Sequence, residues 1–425
     1  MKQNTRLIYM FLIFIVIPTM LWACNNGNAR SERSKSTSTK VISSSKSEET
    51  KIGKVTIYLE NSESMFGYVN GITDYVAVVS ELAEKPEFVM ENTALDFYFI
   101  NGEKPTLTPV GTKASVLKNK LNDAGFRCGD ITKSNLNGMF QVALQTAKNN
   151  QISILISDGI YDIGGQGLSS LVTEGTATRS EFIKRLHLGD LETIMIKLNS
   201  QFKGNYFYAS KPGKIAINST RPYYIWIFGD SKLLNKYFSN EYISGKLKGY
   251  ETMARFMKPG SLVVPYQATT ENLAGTFAFD RKEKNSLVNA KVDRLGQGFR
   301  FAIAVDYSIL PFPESFLTDT ANYNVNNNYK VISIKKPAKK IYAVPFNTTH
   351  LITVQTNKSP FGTLEVSLSD NTPPWIAATD TNTESTIQTD KVHTFGLKYL
   401  TKGIIEAYES MSQDKNIANF KIEIR

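Results

Sequence analysis

The chain of 425 residues is poor in cysteine and histidine, two residue types that often carry metal or nucleophilic chemistry: it has two cysteines and three histidines. The histidines, His187, His350 and His393, lie far apart in sequence, and there is no HExxH motif or other dense zinc-ligand cluster. A Gly-x-Ser-x-Gly nucleophile elbow is also missing. Residues 164–167 (GGQG) lack the Lys and Ser/Thr of a phosphate-binding loop. With no recognisable catalytic constellation in the sequence, we predict that the protein is not an enzyme.

Charge and cysteine content exclude two further classes of protein. The net charge of +10 is spread along the chain, and no basic run is interleaved with aromatic residues. We therefore predict no nucleic-acid partner and, at most, an affinity for anionic surfaces. If Cys24 is modified, Cys128 has no partner for an intrachain disulfide. The fold must then depend on apolar burial, for which 41% hydrophobic residues provide the material.

The first 50 residues have the pattern of a targeting signal followed by a tether. Lys2 and Arg6 precede an apolar run from Leu7 to Trp22, which has the layout of a secretory signal. Residues 21–24 (LWAC) resemble the lipobox of bacterial lipoproteins, which implies a signal peptide over 1–23 and a lipid anchor on Cys24. The alternative is a single transmembrane helix, for which the run is short.

Two further predictions concern the mature N-terminus. Asn25, not Asp, follows the cysteine, so we predict a lipoprotein of the outer membrane in the cell envelope, facing either side of it. Residues 24–50 are rich in Ser, Lys, Thr and Glu and have hardly any apolar side chains, which is typical of a flexible tether.

Two regions with different patterns of predicted secondary structure follow the tether. Over 51–245, strand and helix patterns alternate, which predicts an α/β domain with a mostly parallel sheet. A hairpin with the arms Asn205–Ala209 and Lys214–Asn218 is predicted around residues 211–213 (KPG). Over 260–425, short alternating runs predict a β-rich, sandwich-like region, of one or two domains, with one helix at Phe395–Ser410. The strands predicted in the first region are Val55–Leu59, Leu95–Ile100, Ile152–Ser157 and Tyr223–Phe228, of which the last two are apolar on both faces and so typical of central strands.

The most informative feature is the turn that follows the first predicted strand. Glu60, Ser62 and Ser64 place one carboxylate and two hydroxyls at every second position. Hard oxygen donors in a tight loop suit a small divalent cation. In an open α/β sheet, such a loop at the carboxyl end of a strand is also where ligands bind. The plainer interpretation is that the serines cap turns while Glu60 and Asp158 accept hydrogen bonds from loop amides.

Three segments together resemble the von Willebrand factor A domain. That family carries Asp-x-Ser-x-Ser after its first strand, a Thr on a second loop and an Asp after a later strand. Here Glu60, Ser62 and Ser64 form the first element, with Glu in place of Asp. Ser134 stands for the Thr, with Thr132 nearby, and Asp158 follows the strand Ile152–Ser157.

The resemblance covers roughly residues 52–240 and implies a doubly wound sheet. It also implies that Mg²⁺ or another divalent cation is bound by the metal ligands Glu60, Ser62, Ser64, Ser134 and Asp158. One open coordination position would accept a carboxylate from a protein partner. We therefore expect a membrane-anchored binding or adhesion protein. Two alternatives stay open: a metal-dependent envelope hydrolase that uses the same acidic loops, and a structural lipoprotein that has lost the metal.

Overall fold

The computed structural model describes residues 51–425, except 91–92, 165, 295, 311, 370–371 and 390. The predicted signal peptide (1–23), the lipidation site Cys24 and the tether (24–50) lie outside the described residues. Within the described part of the chain, no helix is both long enough and apolar enough to cross a bilayer.

The first region contains a seven-stranded sheet with the spatial order β3-β2-β1-β4-β6-β5-β7. Strands β2, β1 and β4 run parallel to one another. The remaining pairings are antiparallel. The carboxyl ends of β1, β2 and β4 therefore meet at one edge of the sheet, where the predicted site residues lie. The strands are β1 (Lys54–Glu60), β2 (Ala94–Asn101), β3 (Thr106–Gly111), β4 (Gln151–Ser157), β5 (Glu192–Phe207), β6 (Lys214–Gly229) and β7 (Tyr250–Phe256).

The segment Tyr223–Phe228 lies in a central, buried strand, as predicted, but β6 runs antiparallel to both of its neighbours. The reason is the predicted hairpin, which is much longer than the sequence indicated. It joins β6 to β5, of which the sequence predicted only the end, within Asn205–Ala209.

Helices cover both faces of this sheet because side chains alternate along each strand. Val55, Ile57 and Leu59 of β1 share a core with α1. Tyr58 of the same strand shares the opposite core with α4 and α5. The helices are α1 (Asp74–Val89), α2 (Ala114–Lys118), α3 (Asp123–Phe126), α4 (Leu136–Thr146), α5 (Ser169–Leu186), α6 (Ser231–Tyr237) and α7 (Asn240–Lys246).

The second region builds two larger sheets, of order β12-β15-β18-β10-β9 and β13-β14-β11-β8, besides a two-stranded parallel sheet of β16 and β17. Phe301 and Ile352 of one sheet share an apolar core with Val366 and Phe420 of the other. Within the two larger sheets, the strand pairings are antiparallel except that of β10 with β18. The strands are β8 (Tyr266–Ala274), β9 (Thr276–Phe279), β10 (Ser286–Lys291), β11 (Phe299–Val305), β12 (Tyr323–Val325), β13 (Lys330–Lys335), β14 (His350–Thr356), β15 (Gly362–Ser369), β16 (Asp380–Thr381), β17 (Thr394–Phe395) and β18 (Asn416–Ile424), and the helices are α8 (Glu314–Leu317), α9 (Pro374–Thr379) and α10 (Leu397–Ser410).

The C-terminal helix α10 returns to the first sheet and packs on α5. Leu400, Ile404 and Tyr408 lie in the same apolar core as Phe182 of α5. The two helices approach closely because Gly403 faces the backbone of Gly175. The described residues belong to one compact unit, and the predicted division between 245 and 260 stays a prediction.

The close approach of α5 and α10 makes Gly403→Ala a sensitive change. A Cβ at this position would overlap the carbonyl oxygen of Gly175, so the helices must separate. We expect the free energy of unfolding, measured by denaturant titration, to fall by about 1–3 kcal/mol. The matched control is Gly245→Ala in α7, where a Cβ meets none of the described atoms within 4 Å. It should gain up to about 1 kcal/mol. Equal effects of the two substitutions would contradict this packing.

Candidate functional site

The five predicted site residues come together at the carboxyl edge of the first sheet. The Glu60 carboxylate is buried and accepts hydrogen bonds from Ser62 Oγ at 2.7 Å and Ser134 Oγ at 2.6 Å. Ser62 Oγ and Ser64 Oγ are 3.0 Å apart. Ser64 also lies close enough to the Asp158 carboxylate to lower the pKa of that acid. Three loops that are distant in sequence therefore form one cup of oxygen donors, which we call the oxygen cup.

Asn61 holds the first loop in place. Its side chain lies within the protein, where it donates to the carbonyl oxygens of Phe126 at 2.9 Å and Cys128 at 3.0 Å. Asn101 donates to its Oδ1 at 3.0 Å. The chain then enters a short 3-10 helix, Glu63–Tyr68. In its first turn the Met65 amide donates a hydrogen bond to the Ser62 carbonyl. With Asn61 anchored inward, Glu60, Ser62 and Ser64 are left to form the oxygen cup.

The second loop brings Ser134 to Glu60 through backbone contacts. Gly102, just after β2, forms an isolated parallel bridge with Ser134. The next residue, Asn135, caps α4 by accepting a hydrogen bond from the Gly138 amide at 2.9 Å. The nearby Thr132 donates its hydroxyl to Asp130 at 2.8 Å instead. Ser134, not Thr132, is therefore the hydroxyl that the second loop gives to the oxygen cup.

Asp158 is a buried acid beside a second buried acid. It follows β4, is 7% exposed, and accepts a hydrogen bond from the Ile160 amide at 3.1 Å. Burial, and after it the negative charge of Glu60, raises the pKa of Asp158 to about 7. Two carboxylates crowded in this way repel each other unless a proton or a cation lies between them.

The donor set of the oxygen cup fits a small, hard cation. Two carboxylates and three hydroxyls supply only oxygen atoms, which are the ligands that Mg²⁺ prefers. Among the described residues there is no cluster of three or more His, Cys, Asp or Glu side chains arranged to hold a metal. Any cation site here would therefore depend on serine hydroxyls as well as carboxylates.

A cavity of about 270 Å³ opens above the oxygen cup. One wall is the loop around Lys133, and the other is the long hairpin β5–β6, which supplies Phe202 and Tyr206. The hairpin can lie this close because Gly67, in the 3-10 helix, faces the Phe202 ring and Gly204, and a side chain at Gly67 would overlap that ring. The cavity therefore has a polar floor and an aromatic side.

Two residues of this site were missed in the sequence. Arg221 of β6 lines the cavity and is only 2% exposed. The buried Glu384 accepts hydrogen bonds from the Tyr206 hydroxyl and from the amides of Ala209 at 3.0 Å and Ser210 at 2.8 Å. It thereby fixes the hairpin loop at the cavity mouth. The one local signal was Arg221 itself, a cation directly before the apolar run of β6.

The comparisons with known proteins add no family assignment. No protein-family model matches the chain, and no curated protein resembles it significantly. The function must therefore be argued from the geometry of the site.

Proposed function

We propose that the protein is a membrane-tethered, non-enzymatic binding protein whose first region acts as a von Willebrand factor A-like module. The observation that carries the proposal is the convergence of Glu60, Ser62, Ser64, Ser134 and Asp158 from three separate loops. Their order along the chain and their position after β1 and β4 are those expected from the motif.

The proposal extends to the architecture and the location. The first sheet, with helices on both faces, would be a doubly wound module, and the two facing sheets of 260–425 a sandwich-like second region. A lipid on Cys24 would anchor the chain in the outer membrane, with residues 24–50 as the tether. The module would then bind a protein partner at the envelope.

A divalent cation would be held by the oxygen cup. Ser62 and Ser64 would offer their hydroxyls directly, Ser134 a third, and the carboxylates of Glu60 and Asp158 would neutralise its charge. The bound cation would supply an electrophilic centre for a carboxylate of the partner. Mg²⁺ suits this role because it accepts few protein ligands and keeps positions for other oxygens.

The rival candidate is a structural protein whose oxygen cup binds no metal. It is favoured by the hydrogen bonds from Ser62 and Ser134 to Glu60, which already satisfy much of that carboxylate. Metal binding would have to redirect these hydroxyls, so that their oxygen lone pairs face the cation.

Calorimetric titration with MgCl₂ and MnCl₂ separates the two candidates. We expect the native protein to bind one divalent cation per chain. The double substitution Ser62→Ala and Ser64→Ala should weaken binding by at least about 100-fold, because it removes two direct ligands, and even outer contacts are worth about 10–100-fold.

The matched control replaces two exposed helical serines, Ser180→Ala and Ser244→Ala, and should leave binding unchanged. No binding by the native protein would favour the metal-free candidate. Binding that survives the Ser62 and Ser64 substitutions would place the cation elsewhere.

A further inference from the structure

Arg221 is a buried cation with a free donor. Its side chain lines the cavity above the oxygen cup, and its Nη1 atom has no hydrogen-bond partner among the described residues. The Tyr68 hydroxyl beside the guanidinium donates its own proton to the Pro222 carbonyl and keeps its lone pairs for the guanidinium, so the donor left without a partner is Nη1. A buried guanidinium without a full set of acceptors is costly, so its presence calls for an explanation.

Aromatic rings hold Arg221 in position without satisfying its donors. The guanidinium carbon lies 4.7 Å from the centre of the Tyr206 ring and 5.8 Å from that of Phe202. Tyr206 is itself fixed, because its hydroxyl donates to Glu384. Such stacking stabilises the cation but gives its Nη1 atom no acceptor. Arg221 is therefore preorganised to donate hydrogen bonds to something in the cavity.

The charges of the cavity indicate what that ligand is. The buried charged groups that line it are Glu60, Asp158 and Arg221, with a net charge of −1 when all three are ionised. Glu384 lies behind Tyr206, where two hydroxyls and two amides donate to its carboxylate. One divalent cation changes this to +1, which a single monoanion neutralises. At the mouth, Glu63 and Asp162 are matched in number by Lys133 and Lys211, so the rim adds no net charge.

We infer that Arg221 is the residue that selects the ligand: it holds a carboxylate that also reaches the divalent cation, while the aromatic side of the cavity contacts the ligand's apolar stem. The inference rests on the proposed function, since it requires the cation. The planar fork of arginine matches a carboxylate and gives it two donors in fixed geometry. The carboxylate could belong to an acidic side chain or to the C-terminus of a partner.

Arg221 has opposite effects on the two binding events. It attracts the carboxylate, but its positive charge repels the cation. The substitution Arg221→Gln should therefore leave Mg²⁺ affinity unchanged or higher while it weakens carboxylate binding. If Arg221 only held Asp158 in place, the result would be the reverse: its loss would disturb the oxygen cup and lower the Mg²⁺ affinity.

The experiment uses the full chain saturated with Mg²⁺ and three probes. N-acetylphenylalanine mimics a C-terminal carboxylate, N-acetylglutamate α-amide mimics an acidic side chain, and N-acetylphenylalanine amide is the neutral control. We expect calorimetry to show that at least one acidic probe binds and that the neutral amide does not. The acidic probe that binds identifies the source of the carboxylate, a side chain or a C-terminus. Arg221→Gln should raise the Kd of that probe at least tenfold. Arg221→Lys keeps the charge without the planar fork, so its Kd for the probe should lie between those of the native protein and Arg221→Gln.

The control is Arg127→Gln, an exposed arginine 4.9 Å from the Phe66 ring and outside this cavity, which should change nothing. Three results would overturn the inference: neither acidic probe binds, probe binding is insensitive to Arg221→Gln, or Mg²⁺ affinity falls with it. If Arg221→Gln does not fold, Arg221→Lys replaces it: a probe Kd above that of the native protein supports the inference, and an unchanged Kd overturns it. Failure of Mg²⁺ to bind the native protein is a separate result and rejects the proposed function itself.

Discussion

Replacing Asp158 with asparagine should make the protein markedly more stable near pH 8 in the absence of divalent metal. In the folded protein the pKa of this carboxyl is raised from 3.8 to about 7 by burial and by Glu60. Because one pKa unit is worth about 1.4 kcal/mol, the ionised folded state is destabilised by on the order of 4 kcal/mol. The substitution removes that charge and keeps the size of the side chain.

The sign of the pH dependence follows from linkage. A folded pKa above the unfolded one gives stability that is fully present below about pH 4 and is lost as the pH rises through about 7. The native protein and Asp158→Asn should therefore have similar unfolding free energies near pH 4. They should diverge towards pH 8, as measured by denaturant titration at several pH values.

A matched control lines the same cavity. Asp162 is exposed, so Asp162→Asn should change the free energy of unfolding by less than about 0.5 kcal/mol at any pH. Millimolar MgCl₂ should stabilise the native protein and the Asp162 variant but not the Asp158 variant. An Asp158→Asn protein that is less stable than the native one at pH 8 would show that the carboxylate is held by favourable contacts, not by crowding.

The second large effect is expected far from the oxygen cup, at Arg255. This side chain bonds Glu192, and the two side chains are 1% and 0% exposed. Arg255 also donates to the Phe238 carbonyl at 2.6 Å and to Asn240 at 3.1 Å, which ties β7 to the segment around α6 and α7. Arg255→Met leaves Glu192 buried without a counter-charge. We expect it to lower the free energy of unfolding by about 3–5 kcal/mol.

Two comparisons make this prediction specific. Burial raises the pKa of Glu192 even beside Arg255, so the loss in Arg255→Met should shrink as the pH falls and Glu192 takes up a proton. Adding Glu192→Met should recover most of the stability, because a buried ion pair replaced by apolar side chains is often neutral. The exposed pair Lys421–Glu365 provides the control: Lys421→Met should leave the free energy of unfolding nearly unchanged, because solvent screens an exposed ion pair. A small effect of Arg255→Met would contradict the buried pair.

The sequence was most informative where burial and polarity follow local patterns. The strands β1, β2 and β4 are apolar runs that end at polar loops, so their positions and the meeting of Glu60, Ser134 and Asp158 could be anticipated. The helix α10 was predicted within two residues at its start, because Leu400 and Ile404 lie on one strongly apolar face.

What was missed depends on partners that are distant in the chain. Strand β5 contains the buried polar residues Glu192 and Lys197, which break its apolar pattern. Their charges are neutralised by Arg255 and, at 2.6 Å, by Glu251. Without the first part of β5, the predicted hairpin was too short, and the antiparallel direction of β6 was not foreseen. Arg221 and Glu384 were missed for the same reason, since only the folded chain brings them to the cavity.

A structure determined from crystals grown with Mn²⁺ tests the central claim most directly. We predict one anomalous-scattering peak in the oxygen cup, about 2.1 Å from Ser62 Oγ and Ser64 Oγ, with the Asp158 carboxylate turned towards it. If the cup instead contains no manganese, and Ser62 and Ser134 still donate to Glu60, then these residues form a structural hydrogen-bond network and not a cation site.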